Sequence, residues 1–102
     1  MDLEFGLKIE VIHKVRTVLA RFPQIREVIL YGSRALGTYK PGSDIDLTFK
    51  GELLNNQVIN KISISLDELY LPYTFDLSVY DQIENADLLE HIKKHGVIFW
   101  TE

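Results

Sequence analysis

The feature that most constrains this chain is a Gly-Ser break between two apolar runs. Residues 28–31 form the first run, Gly32-Ser33 interrupts it, and residues 44–50 form the second. Both runs have the composition and length of strands. The connection between them is too short for an ordinary parallel crossover, unless it contains a helical turn. The break therefore predicts a mixed sheet in which the two strands lie close together.

The second run carries two carboxylates on one face. Period-two alternation places Asp44 and Asp46 on the same side of a strand, with Cα atoms roughly 7 Å apart. Like charges this close repel unless a cation lies between them, and Mg²⁺ prefers oxygen ligands. Asp76, on the polar face of a later strand, is the candidate third carboxylate for a pair of metal ions. Asp81 is a rival, although it resembles a turn or cap residue.

The Gly-Ser break has the composition of a phosphate-binding turn. Gly32 lets the backbone approach an anion, and Ser33 offers a hydroxyl and backbone N–H groups. Arg34 adds a charge suited to phosphate. Taken singly, a Gly-Ser pair is most often a simple turn, and an Asp-Ile-Asp strand can be a solvated face. The combination in this order favours a site for a polyphosphate and its metal ions.

The rest of the chain is interpreted as scaffold of the α+β class, a small mixed sheet covered by helices on one face. Asp2 is a plausible N-cap of the first helix, and Pro23 ends it. Asp87 suits the start of the last helix and Gly96 its C-cap. The predicted elements are a helix over 2–21, strands over 25–31 and 44–50, a helix over 54–69, a strand over 73–80, a helix over 87–95 and an extended segment over 97–100. Within 54–69, residues 62–65 could also alternate as a strand.

Composition limits the partners and the compartment. The formal net charge of −4 argues against nucleic acid as the main partner, because backbone binding relies on Lys and Arg. The chain has no cysteine, which fits a reducing cytoplasm. No signal peptide is recognisable, and no apolar run approaches the roughly 20 residues of a membrane span. We therefore expect a cytoplasmic protein with no membrane association.

The central motifs resemble those of the minimal nucleotidyltransferases (MNT) of the DNA polymerase β-like nucleotidyltransferase superfamily. The similarity extends to chain length and element order, and implies one domain over residues 1–102 with the nucleotidyltransferase fold. The motifs that carry it are Gly32-Ser33-Arg34-Ala35-Leu36-Gly37 and Ser43-Asp44-Ile45-Asp46-Leu47.

The resemblance also implies a chemistry: transfer of a nucleoside monophosphate, AMP from ATP, to a hydroxyl with two Mg²⁺ ions. Gly32 and Ser33 would bind the triphosphate, while Asp44 and Asp46 would hold both ions. Asp76 would hold the ion that activates the acceptor hydroxyl, and would help to remove its proton. Members of the family often carry a second arginine where this chain has Leu36, which leaves donor affinity open.

The family implies a partner as well. Its MNT proteins are typically antitoxins that pair with a HEPN-domain toxin in a hetero-oligomer and transfer AMP to it. Two alternatives stay open at this point. The chain could be a binding module that neutralises its partner by occlusion, or the catalytic part of a split antibiotic-modifying enzyme.

Two further constellations are weaker. His91 and His95 lie four residues apart on a predicted helix and could form a metal pair, but they have no obvious third ligand. They are better placed to favour the negative end of the helix dipole. Ser33 has no histidine near it in the sequence, so a hydrolase nucleophile is unsupported.

Overall fold

The fold is seen in a computed structural model that describes residues 3–102, and the predicted N-cap Asp2 lies outside the described residues. In chain order the elements are β1 Leu3–Glu4, β2 Leu7–Lys8, α1 Ile9–Leu19, β3 Glu27–Tyr31, α2 Ser33–Leu36, β4 Ile45–Lys50, α3 Asn56–Asp67, β5 Phe75–Val79, a 3₁₀ turn Tyr80–Gln82, α4 Ala86–His95 and β6 Val97–Thr101.

A four-stranded mixed sheet in the order β5-β4-β3-β6 organises these elements. β3 pairs antiparallel with both β4 and β6, whereas β4 and β5 are parallel. The parallel pair is joined through α3, which provides the crossover that parallel strands require. The mixed sheet and the α+β class that the sequence predicted are confirmed.

The main core lies on one face of the sheet, under α1 and α3. Ile12 and Val18 of α1 and Ile62 of α3 are buried against strand residues that alternate inward. The buried residues that the four-stranded sheet contributes to this core are Val28, Leu30, Ile45, Leu47, Phe49, Val79 and Phe99.

One helix lies on the opposite face, so the expectation that the helices cover a single face is wrong. Ile92 of α4 packs with Ile29 and Tyr31, which point away from the main core. The reason is visible in β3 itself, where four of the five residues are buried. A strand that is apolar in succession, and not in alternation, has both of its faces covered.

The N-terminal segment differs from the predicted long helix. Residues 3–8 form a two-stranded hairpin, and α1 begins only at Ile9. The hairpin turn has positive φ at both Phe5 and Gly6, which a right-handed helix cannot accommodate. Leu3 and Leu7 fit a helical period in the sequence, yet they lie on the two arms of this hairpin.

At the C-terminal end the predicted extended segment is confirmed as β6, an edge strand on β3. α4 begins one residue earlier than expected, because the Asn85 side chain caps it by accepting from the Leu88 N–H at 3.0 Å. Gly96 is the C-cap, in an extended conformation, and donates its N–H to the Ile92 carbonyl. In the described part of the chain, no helix has the length and apolar character needed to cross a membrane.

Candidate active site

A row of three side chains crosses the sheet at the point where β3 ends. Tyr31 is the register partner of Asp46, and Asp46 is the register partner of Asp76 on the parallel neighbour β5. Asp44 stands just before β4 and is exposed. The register thus brings Asp76 beside Asp46, whereas Asp81 lies beyond the far end of β5, in the 3₁₀ turn.

The row concentrates negative charge. Burial, together with the smaller effects of the charges of Asp76 and Asp44, raises the pKa of Asp46 to about 6. Burial also raises the pKa of the Tyr31 phenol, with a contribution from Asp76 and Asp46. Asp46 is therefore a half-buried carboxylate whose ionised form is disfavoured by its surroundings, as expected where a cation belongs.

The metal prediction can be tested against these positions. Among residues 3–102, no three His, Asp or Glu side chains converge as a preformed metal cage. Mg²⁺, however, is usually held by one or two carboxylates together with substrate phosphates and water. The Asp46–Asp76 pair fits an ion that arrives with a triphosphate, so the two-ion site stays a prediction.

The Gly-Ser turn faces the same carboxylate. Gly32 has φ 77° and ψ −157°, and a Cβ at this position would overlap the carboxylate of Asp46. Glycine is thus required both by the backbone conformation and by the space. Ser33 follows as the first residue of α2 and is half-buried, while Leu36 ends α2 with 47% of its surface exposed. The structure therefore brings the predicted turn and carboxylates together.

Arg34 is placed differently from the expectation. Its side chain is 2% exposed, and its guanidinium donates to the backbone carbonyls of Phe5 (2.8 Å) and Ser43 (2.9 and 3.1 Å). The guanidinium carbon also lies 5.5 and 5.2 Å from the ring centroids of two tyrosines, Tyr39 and Tyr73. A phosphate contact would require these hydrogen bonds to break. We therefore interpret Arg34 as the residue that ties the 37–43 loop to the N-terminal hairpin, and we do not retain it in the nucleotide site.

His91, which the sequence suggested only as half of a weak metal pair, lies in this site and contacts the Gly-Ser turn. Its Nε2 accepts a hydrogen bond from the Gly32 N–H at 3.0 Å. The ring packs edge-to-face near Tyr31, with centroids 6.2 Å apart, and 5.5 Å from the ring of His95. Nothing in the spacing of the two histidines on α4 signals that the first contacts a turn 59 residues away.

Comparison with known proteins identifies the family of the chain. The family model described as polymerase β, nucleotidyltransferase, matches residues 13–102. The chain therefore belongs to the polymerase β nucleotidyltransferase family. That residues 1–102 form one domain stays a prediction. No curated protein matches the chain.

Solved structures share the fold. A toxin–antitoxin complex with AMP-PNP superposes with a TM-score of 0.72 at 22% identity, covering 89% of this chain and 73% of the other. The complex of MNT antitoxin with the tri-AMPylated HEPN toxin of Shewanella oneidensis gives 0.67 at 18% identity, covering 91% and 71%. The MntA–HepT toxin–antitoxin gives 0.67 at 18% identity, covering 93% and 74%. The fold is thus the nucleotidyltransferase fold that the sequence predicted.

Proposed function

We propose that this chain is a Mg²⁺-dependent nucleotidyltransferase that transfers AMP from ATP to a hydroxyl of a HEPN-domain partner, as the antitoxin of a toxin–antitoxin pair. The observation that carries the proposal is the position of Asp46, which lies between Asp76 on β5 and the Gly32 turn. A triphosphate bound at the turn would have its phosphates next to the carboxylates that hold its metal ions.

The reaction is a displacement at the α-phosphorus. The acceptor oxygen forms a bond to this phosphorus as the bond to the bridging oxygen breaks, and pyrophosphate leaves. Asp44, Asp46 and Asp76 would hold the ions, whose positive charge would offset the charge of the phosphates. Gly32 and Ser33 would border the triphosphate, and the exposed carboxylate of Asp76 would take the proton of the acceptor hydroxyl.

The choice of nucleotide and partner is supported by what the similar structures contain. One holds AMP-PNP, and another contains an AMPylated HEPN toxin with an MNT antitoxin. These two proteins are 22% and 18% identical to this chain. The shared fold supports a common donor, acceptor class and complex.

The test is label transfer from α-labelled ATP and Mg²⁺ to the co-purified partner. Asp46→Asn should reduce transfer on the order of 100-fold or more, because it removes a metal-binding carboxylate at nearly unchanged volume. Asp67→Asn, an exposed carboxylate on α3, is the matched control and should transfer normally. No label transfer by the wild type would refute the catalytic proposal.

Neutralisation by occlusion, without AMP transfer, is the alternative mechanism, and a catalytically inactive variant distinguishes the two. A double variant, Asp44→Ala with Asp46→Ala, should lose the ability to protect cells from the partner if AMP transfer is the mechanism. Full protection by a double variant that is folded and inactive would assign neutralisation to binding.

A further inference from the structure

We infer that His91 is a positioning residue for the nucleotide site: its imidazole fixes the Gly32 amide, so the turn presents Ser33, and not the Gly32 N–H, to the triphosphate. The inference rests on the proposed nucleotidyltransferase function and adds to it a residue on α4, far in sequence from the motifs. It also assigns different roles to the two residues of the Gly-Ser pair.

The hydrogen bond defines the state of both groups. Nε2 of His91 accepts from the Gly32 N–H at 3.0 Å, so this nitrogen carries no proton, and the neutral ring carries its proton on Nδ1. A backbone N–H has one proton to donate. A phosphate oxygen would therefore have to displace the imidazole to use this amide, whereas the Ser33 hydroxyl has a proton of its own to offer.

The turn needs such a restraint because of its backbone conformation. Gly32 lies at φ 77°, ψ −157°, the mirror image of the extended region, which glycine enters and leaves without steric cost. The carboxylate of Asp46 occupies the side where a Cβ would stand, and His91 holds the N–H. Without the second contact glycine would sample other conformations, and Ser33 would move with it.

The imidazole is itself fixed by packing. Ile92, the next residue on α4, is 3% exposed and packs with Ile29 and Tyr31 on the outer face of β3. The His91 ring lies edge-to-face with the Tyr31 ring. Tyr31, the residue immediately before Gly32, thus packs against the histidine that accepts from the Gly32 N–H. Both ends of this hydrogen bond are therefore held by the packing of α4 on β3.

The experiment compares three variants in binding Mg²⁺–AMP-PNP by calorimetry. His91→Ala should weaken binding by roughly three- to tenfold, the range for one lost hydrogen bond. His91→Gln should restore most of the affinity, because its amide oxygen can accept at a similar reach. His95→Ala, the exposed neighbouring histidine on the same helix, is the matched control and should bind as the wild type does.

A second measurement needs no nucleotide. The Gly32 amide resonance in a ¹H–¹⁵N spectrum should shift in His91→Ala and not in His95→Ala. If His91→Ala binds AMP-PNP more tightly, the imidazole competes with phosphate and the inference is wrong. It is also wrong if the Gly32 resonance does not move. Failure of the wild type to bind AMP-PNP would refute the proposed function, while the Gly32 resonance would still decide the contact.

If His91→Ala does not fold, His91→Leu, which keeps the volume but cannot accept a hydrogen bond, takes its place. Weaker AMP-PNP binding by His91→Leu than by His91→Gln supports the inference, and equal binding by the two variants overturns it.

Discussion

Asp46 and Asp76 are direct register partners on the parallel strands β4 and β5. Their adjacency depends on α3, which carries the chain from the end of one strand back to the start of the next. The candidate site is therefore assembled by a crossover helix that contributes no residue to it.

The partner relationship predicts which later carboxylate matters. Asp76→Asn should lower AMP transfer on the order of 100-fold or more, because it removes the carboxylate beside Asp46 that is placed to accept a proton. Asp81→Asn should leave transfer within a factor of about two, since Asp81 lies past the end of β5. Equal effects of the two substitutions in the label-transfer assay would contradict this assignment.

The raised pKa of Asp46 predicts how stability depends on pH without metal. The pKa is about 6 in the folded protein, above the ordinary aspartate pKa of 3.8, so the folded state binds the proton more tightly than the unfolded state. The ionised carboxylate therefore costs stability above about pH 6, and the cost disappears as the pH falls from about 6 toward 4. Asp46→Asn should melt at a higher temperature than the wild type at pH 8 in EDTA, and the difference should vanish near pH 4.

The control for this melting experiment is Glu52→Gln, an exposed carboxylate in the loop after β4. It should show no comparable change between pH 8 and pH 4. A wild type that is as stable as Asp46→Asn at pH 8 would show that the ionised Asp46 carboxylate does not destabilise the folded protein.

A bound cation should offset the stability cost of the ionised Asp46 carboxylate. With AMP-PNP present, Mg²⁺ should raise the melting temperature of the wild type, because a ligand that binds the folded state stabilises it by mass action. The shift should be largely lost in Asp46→Asn and kept in Asp67→Asn. Equal shifts in all three proteins would place the ion elsewhere.

Alanine substitutions at three glycines compare the cost of a backbone with positive φ to the cost of a side chain that overlaps Asp46. Gly42→Ala should be nearly neutral, because its surroundings are open and its φ is not positive. Gly37→Ala meets open space at φ 83° and should cost about 1 kcal/mol. Gly32→Ala has a higher backbone cost, because positive φ with ψ −157° is essentially confined to glycine, and it also overlaps Asp46, so it should lose more stability and bind AMP-PNP poorly. Denaturant unfolding checks the order, and equal losses at Gly32 and Gly37 would contradict the overlap.

Substitution of Arg34 should lower the stability of the folded protein, because its hydrogen bonds hold the loop and the hairpin together. Arg34→Lys keeps the charge but loses the fork that reaches the carbonyls of Phe5 and Ser43, and should cost about 2–4 kcal/mol in unfolding free energy. Arg26→Lys, at an exposed ion pair with Glu102, should stay within about 0.5 kcal/mol. A fully stable Arg34→Lys protein that fails to bind AMP-PNP would return Arg34 to the nucleotide site.

The sequence predicted the parts of the site that local patterns encode. Alternation around Asp46 and the break at Gly32 are properties of a few consecutive residues, and the sheet and fold class follow from the same periodicities. The pairing of Asp46 with Asp76, as against Asp81, was an expectation from polar-face matching, and it depends on a strand register that the turn lengths alone do not set.

Long-range contacts explain what the sequence left out. His91 meets Gly32 only because α4 packs on the outer face of β3, and an apolar run as short as β3 does not tell which helix will cover that face. The inward orientation of Arg34 depends on carbonyls in a hairpin whose leucines also fit a helical period. The charge of Arg34 suggested a phosphate contact, whereas in the structure its buried guanidinium donates to backbone carbonyls.

The hairpin over residues 3–8 lies outside the segment that matches the family model, which begins at residue 13, and it contacts the loop before Asp44. Its Phe5 carbonyl binds Arg34, and its Gly6 packs against the ring of Tyr39 in the loop that leads to Asp44. The hairpin therefore supports the loop that precedes the carboxylates, although it contains none of the candidate site residues.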